Sequence, residues 1–234
     1  MALSLQTQWT LVASGLVAHA DHVLTGEECE RLMAMVDAEV DGDEYGDWMK
    51  TISDAEALEG LLKTLDKPPA DSHRQILEDA WLMAVVDGER ADEEIAVLER
   101  VAEVLGVEML QLEFWREAWT QAQHDYAETV TAALAWVLGD GAELDDQAED
   151  AISEFVGTLP TTHEHREALA TAARGAQAFD AVEGRLRGLS MAQRRDAIRR
   201  LFVAASTNEE LERWRRLGTA VRLSDEEIEK IAED

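Results

Sequence analysis

Apolar residues recur with the period of an α-helix along almost the whole chain. In the segment ADEEIAVLERVAEVLG, the residues Ile95, Leu98, Val101 and Leu105 fall on one helical face, and acidic residues fall on the opposite face. Prolines, which interrupt helices, number only three in 234 residues. No segment shows the clear alternation of apolar and polar residues that is typical of a strand. The pattern therefore predicts an all-α protein.

Helix boundaries follow from the same periodicity and from turn residues. We expect helices at residues 4–21, 26–40, 43–50, 54–65, 70–87, 92–105, 108–138, 145–158, 162–187, 190–205, 208–221 and 225–233. The segment 108–138 contains no Pro or Gly, which predicts one helix of about 31 residues that joins two halves of the chain. Thr25, Asp92 and Ser224 are the predicted N-caps.

One short pattern occurs four times: an apolar helix, a polar residue at its end, a short turn and an acid-rich helix start. The first helix of each copy ends at Asp21, at Asp87, at Asp140 or near Ser206. The first and third of these residues are 119 positions apart, and so are the second and fourth. The spacing predicts a helical bundle of two tandem units, residues 1–122 and 123–234, each with two helix-turn-helix copies.

The first two copies share a further acidic residue seven positions after the Asp. Glu28 follows Asp21, and Glu94 follows Asp87. If each turn folds the second helix back on the first, these side chains converge, and two interpretations are open. Carboxylates from two facing copies would supply the oxygen ligands that Ca²⁺ or Mg²⁺ prefers. Alternatively, each Asp accepts hydrogen bonds from its turn or from the free N–H groups of the next helix.

The second unit lacks part of this acidic set. Gln147 stands seven positions after Asp140, and Ser206 replaces the Asp of the fourth copy. The first unit is therefore the better candidate for a cation site. Gly88 and Gly141, which directly follow an Asp, fit a turn that needs a positive φ.

A separate acidic segment, DAEVDGDEYGDW at residues 37–48, partly matches a calcium-binding EF-hand loop. Asp37, Glu39 and Asp41 fit ligand positions, but Trp48 replaces the bidentate acid that closes such a loop. We interpret the segment as a solvated acidic loop, with weak divalent-cation binding as the alternative.

The segment AWLMAVVDGERADEEIAVLERVAEVLGV resembles the TerB-like proteins of bacterial tellurite resistance. The resemblance spans residues 76–107 and extends to 11–40 and 130–159. It implies an all-helical fold with a pseudo-symmetric pair of motifs and an association with metal-ion-linked stress responses. A similar module stands at the front of a membrane-anchored DnaJ-like co-chaperone. The resemblance places the acidic pairs of the family on Asp21, Glu28, Asp87 and Glu94.

The charge of the chain restricts its partners. The formal net charge is -29, and residues 1–160 carry -28 of it. Such a surface repels nucleic acid and anionic lipid, and no run of about 20 apolar residues is present. We expect a soluble, cytoplasmic protein whose partner is a protein with a basic surface. Trp115 and Trp119 offer a seam for a homodimer, with packing in the core as the other interpretation.

Catalytic signatures are missing from the sequence. It contains no glycine-rich phosphate loop and no Ser-His-Asp pattern. The histidine pairs have no third ligand near them in sequence, and acidic neighbours of Cys29 disfavour a reactive thiolate. These pairs are His19 with His22 and His163 with His165. We therefore predict a non-enzymatic acidic binding or scaffold protein that holds a divalent cation or, alternatively, acts as a metal-independent adaptor.

Overall fold

The computed structural model describes residues 3–40 and 42–233. These residues form thirteen α-helices, α1 to α13, with two short 3₁₀ segments and no strand. The predicted all-α class is confirmed. The chain separates into two compact units: unit 1 is Met1–Gln121 with Pro160–Thr162, and unit 2 is Ala122–Leu159 with His163–Asp234.

Unit 1 is built around its first helix. Its helices are α1 (Leu5–Ala18), α2 (Gly26–Glu39), α3 (Tyr45–Ile52), α4 (Ala55–Thr64), α5 (His73–Met83) and α6 (Asp92–Leu105), followed by the first part of α7 (Met109–Gly139). Helix α1 packs against α2, α4, α5 and α6, and buries residues on all its sides, among them Trp9, Leu11 and Val12. A helix that is apolar all round is stable only in the interior, so α1 forms the centre of this unit.

Unit 2 contains the second part of α7 in its core. Its other helices are α8 (Asp146–Gly157), α9 (His163–Ala173), α10 (Phe179–Gly188), α11 (Met191–Ala204), α12 (Asn208–Ala220) and α13 (Asp225–Glu233). The second part of α7 buries Val130, Leu134 and Trp136, and these side chains belong to one core together with residues of α8 to α13.

The ends of α6 and α12 show the same geometry. Gly106 follows α6 with φ 81°, and Arg222 follows α12 with φ 70°. At both ends a backbone N–H of the next residue reaches back five positions to a helix carbonyl, at 2.9 Å and 3.1 Å. This is the bond that closes a helix with a left-handed residue. The two ends are 116 residues apart in sequence.

The predicted helix at 162–187 is wrong, because the structure breaks it into α9 and α10. Residues 174–178 connect the two helices. Within this connection the side-chain amide of Gln177 donates to the carbonyl of Gly175 at 3.0 Å. A glycine and a side chain that competes for backbone carbonyls both end helices, and neither changes the apolar period that predicted one element.

Tryptophans occupy the interior as predicted. Trp81, Trp136 and Trp214 are buried. Trp119 is also buried, and the ring of Trp115 lies 5.9 Å from it while packing on the same core. The core interpretation of this pair is therefore confirmed. Within the described residues, none of the helices combines the length and the apolar character needed to span a bilayer.

Candidate functional site

Asp21 and Asp87 lie in turns just beyond the ends of α1 and α5, which finish earlier than predicted. The carboxylate of Asp21 accepts a hydrogen bond from the N–H of Val23 at 2.8 Å, and that of Asp87 accepts one from Glu89 at 3.0 Å. An Asp that bonds the N–H two residues further on stabilises the turn in which it stands. The turn-stabilising interpretation is confirmed for both residues.

The residue after each of these aspartates has a left-handed backbone. Gly88 has φ 94° and His22 has φ 67°, and in unit 2 the predicted turn glycine Gly141 has φ 80°. The prediction of a positive φ at the two glycines is confirmed. His22 adopts the same conformation although it carries a side chain.

Glu28 and Glu94 each stand at the third position of a helix and accept hydrogen bonds from the residue that caps it. Oε2 of Glu28 accepts from the N–H of Thr25 at 2.8 Å, and the hydroxyl of Thr25 in turn accepts from the N–H of Glu28. Oε2 of Glu94 accepts from the N–H of Ala91 at 2.7 Å. Both glutamates are buried, with 4% and 7% of their surface exposed.

The predicted N-cap Asp92 is wrong. The cap is Ala91, and Asp92 is the first residue of α6. Because alanine has no side-chain acceptor, only the glutamate half of the capping box forms here. The predicted cap Thr25 is confirmed, with both halves of its box in place.

The structure brings the four predicted carboxylates close enough to interact. Burial and the negative charges of Glu28, Asp87 and Asp21 together raise the pKa of Glu94 to about 7, against the effect of its hydrogen bond from Ala91. The pKa of Glu28 is also raised, first by burial and then by Asp87 and Asp21, despite its bonds from Thr25. The two copies in unit 1 therefore converge on one acidic cluster, which we name the acidic junction: Asp21, Glu28, Asp87 and Glu94.

An arginine that sequence reasoning missed lies beside the acidic junction. The guanidinium of Arg90 stacks on the ring of Trp81 at 3.6 Å. Burial lowers the pKa of Arg90 to about 10, while the charge of Glu94 acts in the opposite direction. The only sequence signal was an arginine in the turn DGERADEE, four residues before the buried glutamate.

The atoms that the acidic junction offers to a metal ion are all carboxylate oxygens, which suit hard cations such as Ca²⁺ and Mg²⁺. Each glutamate uses Oε2 for its cap, and its Oε1 makes no hydrogen bond to the part of the chain that the structure describes. Across residues 3–40 and 42–233, however, no three His, Cys, Asp or Glu side chains are arranged as a metal centre. The chemistry of the junction fits a cation, but its side chains are not in a ligand geometry.

Unit 2 has a different arrangement at the corresponding turn. Asp140 and Gln147 are exposed, and the backbone N–H groups of Ser206 and Thr207 donate to Glu210 at 2.7 Å and 3.0 Å. Burial would raise the pKa of Glu210, but these hydrogen bonds, the Thr207 hydroxyl and the charge of Arg213 lower it. Unit 2 therefore assembles no acidic cluster from its predicted positions.

Arg213, whose charge lowers the pKa of Glu210, also contacts the C-terminal end of α7. Its guanidinium donates to the carbonyls of Val137 and Leu138. A cation at the C-terminal end of a helix stabilises the carbonyls that have no partner within the helix.

The calcium-loop-like segment does not form a loop of that kind. Asp37 and Glu39 belong to α2, residues 42–44 form a 3₁₀ turn, and Tyr45 begins α3. The hydroxyl of Tyr45 donates to the carboxylate of Asp37 at 2.7 Å. Asp41, the third of the acids named above, lies outside the described residues.

One member of each histidine pair contacts another part of the chain. The Nε2 atom of His19 is hydrogen-bonded to the carbonyl of Ile52 at 2.9 Å. His165 stacks on His124, with ring centroids 3.9 Å apart, and not on its sequence neighbour His163. Cys29 is a free, partly exposed thiol.

Comparisons with known proteins find a similarity within the first unit. No curated protein and no solved structure matches the chain. The model of one family, described as "Tellurite resistance protein TerB", matches residues 8–117. This range contains all four carboxylates of the acidic junction, so the segment that carries the candidate site is similar to TerB proteins of tellurite resistance.

Proposed function

We propose that the protein is a non-enzymatic binding module of a tellurite-resistance-like stress system, and that its acidic junction binds a divalent cation. The match to the TerB family over residues 8–117 supports the first part. The convergence of Asp21, Glu28, Asp87 and Glu94 from two helix-turn-helix copies supports the second.

The observation that carries this proposal is the unfavourable negative charge at Glu94. Buried carboxylates that repel one another hold a proton more tightly, as the raised pKa of Glu94 shows. A divalent cation would relieve this repulsion and offset the cost of burial. Oxygen ligands alone favour Ca²⁺ or Mg²⁺ over softer metals.

Binding would require the carboxylates to turn toward a common point, because no metal centre is present in this conformation of the described residues. Rotation at Glu28 and Glu94 would direct Oε1 toward the cation while Oε2 stays near the cap. Asp21 and Asp87 would contribute from their turns. We therefore expect a site of moderate affinity that orders on binding.

Thermal unfolding of the full chain tests the proposal. Melts are recorded with EDTA, CaCl₂ or MgCl₂, each with NaCl added to equal ionic strength. A cation at 100 times its Kd adds about 2.7 kcal/mol to the stability of the unit that binds it. At roughly 2–4 °C per kcal/mol, the expected rise in Tm is about 5–10 °C.

The matched variants are Glu94→Gln and Asp87→Asn in unit 1 and Asp140→Asn in unit 2. Glutamine still accepts the hydrogen bond from Ala91, so Glu94→Gln removes charge but retains the cap. We expect the cation-dependent rise to disappear in the first two variants and to remain in Asp140→Asn. No rise beyond the NaCl control in the unmodified chain would contradict cation binding.

A second candidate function is a metal-independent adaptor that binds a basic protein. The net charge of -28 over residues 1–160 favours it. The adaptor predicts that an octalysine peptide binds the chain, that binding weakens steeply from about 50 to 300 mM NaCl, and that EDTA has no effect. This result together with no cation-dependent melt would favour the adaptor over the cation site.

We further propose that the two units arose by tandem duplication, so that unit 2 is a diverged TerB-like unit. The same order of helices, with α1 and the second part of α7 each at the centre of a core, supports this origin. The left-handed ends at Gly106 and Arg222 support it independently. So does the identical third-position cap of Glu94 and Glu210.

A further inference from the structure

Unit 2 contains a cavity that neither the acidic junction nor the family match involves. Its volume is about 330 Å³, and residues of α7, α9 and α10 line it. Ala132, Leu169 and Ala173 form an apolar floor and are buried. Small-molecule sites combine such a floor with a few polar groups that fix orientation.

Thr131 supplies an unusual polar group in this cavity. Thr131 lines the cavity and is only 2% exposed, and its Oγ1 makes no hydrogen bond with the described residues. Two residues earlier on the same helix, the hydroxyl of Thr129 donates to the carbonyl of Asp125 at 2.7 Å. Buried hydroxyls are normally paired, so a ligand that reaches the unpaired Oγ1 would supply its missing partner.

Two opposite charges stand at the rim of the cavity. Glu128 lies one turn before Thr131 on α7, and Arg185 lies on α10. Both side chains are exposed, and neither forms a hydrogen bond or ion pair with the described residues, whereas the nearby Arg187 pairs with Glu183 at 2.7 Å. The rim therefore presents one anion and one cation to the same space.

The remaining wall adds no charge that competes with this pair. Burial and the adjacent His124 lower the pKa of His165 against the effect of Glu128, so the charged form of its ring is disfavoured. The amide nitrogen of Gln177 donates to the carbonyl of Gly175, which leaves its side-chain oxygen as an acceptor.

We propose that this cavity binds a small zwitterion with an aliphatic part, as in a free aliphatic amino acid. Glu128 binds the ammonium group, and Arg185 binds the carboxylate. Thr131 donates a hydrogen bond to the carboxylate, and the aliphatic part lies on the floor of Ala132, Leu169 and Ala173. The cavity volume of about 330 Å³ is at the small end of the range for ligand sites, which suits a small ligand.

Isothermal titration calorimetry of the full chain against the twenty standard L-amino acids tests this proposal. We expect at least one aliphatic amino acid to bind. Its amide, which lacks the carboxylate, and its deaminated acid, which lacks the ammonium group, should each bind at least about tenfold more weakly. The proposal is overturned if none of the twenty binds, or if the deaminated acid binds as well as the amino acid.

Variants of the cavity separate a ligand site from a packing defect. Arg185→Gln and Glu128→Gln should each weaken binding at least about tenfold. Arg215→Gln and Glu154→Gln, which remove exposed charges elsewhere in unit 2, should leave it unchanged. Unaltered affinity in both cavity variants would overturn the proposal.

Thr131→Val provides a readout that does not depend on the charges. Valine has nearly the same shape, and it removes a buried hydroxyl that has no hydrogen-bond partner among residues 3–40 and 42–233. We therefore expect a higher Tm without ligand and a weaker affinity for the amino acid. A lower Tm together with unaltered affinity would show that the hydroxyl serves the fold and not a ligand.

Discussion

Glu94 in unit 1 and Glu210 in unit 2 occupy the same position in α6 and α12, yet their surroundings act on them in opposite directions. Each accepts hydrogen bonds from the backbone at the start of its helix. Burial and three negative neighbours raise the pKa of Glu94 to about 7. Around Glu210, burial acts in the same direction, but three hydrogen bonds and Arg213 outweigh it. The negative charge at the same capping position is therefore unfavourable in unit 1 and favourable in unit 2.

Arg213 accounts for part of this difference. It lies three residues after Glu210, and three residues after Glu94 stands Val97, which carries no charge. At this position of the helix, unit 2 therefore has an arginine and unit 1 has an apolar side chain. A bound cation in unit 1 would supply the charge that Arg213 supplies permanently in unit 2.

The largest expected effect is that of Arg213→Met. Methionine retains much of the aliphatic stem but removes the donors to Val137 and Leu138 and the charge near Glu210. We expect unit 2 to lose about 2–4 kcal/mol in urea unfolding. The control Arg215→Gln removes an exposed arginine of the same helix and should change stability by less than about 0.5 kcal/mol. Equal effects would show that Arg213 has no special role.

The second-largest expected effect is an increase in stability caused by Glu94→Gln. At pH 8 this variant removes a buried charge that is repelled by its neighbours, while the cap is retained. We expect a gain of roughly 1–3 kcal/mol in the absence of divalent cations. Urea unfolding in EDTA measures it, and a loss of stability would contradict the electrostatic account.

The pH dependence of that gain gives a stricter test. Below about pH 4.5, Glu94 is protonated in both the folded and the unfolded chain, so the variant and the unmodified chain should have similar stabilities. Between that pH and about 7, only the folded chain retains the proton. The free energy of unfolding of the unmodified chain therefore falls as the pH rises through this range. The advantage of Glu94→Gln should increase through this range and become constant above about pH 7.

The smallest expected effect is that of Glu210→Gln, which has the opposite sign. A lowered pKa means that the charged form of Glu210 stabilises the fold. We expect a loss of about 1 kcal/mol at pH 7, which disappears on acidification through the folded pKa, below about 4.5. Stabilisation by this variant would remove the contrast between the two glutamates.

Local interactions explain why much of the fold was predictable. The long helix α7, the start of α2 at Thr25 and the turns after Asp21 and Asp87 all depend on residues a few positions apart. The break between α9 and α10 was missed because the bond from Gln177 to Gly175 competes with a helix without altering the apolar period. The cap at Ala91 was missed because alanine carries no capping signal.

The residues of the candidate sites also differ in whether the sequence could predict them. Spacing and resemblance identified all four members of the acidic junction. The role of Arg213 was not predictable, because its carbonyl partners in α7 are about 75 residues away in sequence. The cavity around Thr131 was also missed, since a threonine within an apolar helix looks the same whether or not its hydroxyl has a partner.

The amino-acid sequence by itself determined the helices, most of their caps and the repeated acidic turns, because the 3.6-residue period and hydrogen bonds between near neighbours produce them. Only the tertiary structure decided that the negative charge of Glu94 is unfavourable and that of Glu210 is favourable. Burial and Coulomb interactions depend on groups brought together from distant parts of the chain. The same physics places an unpaired hydroxyl and two opposite charges around one cavity in unit 2.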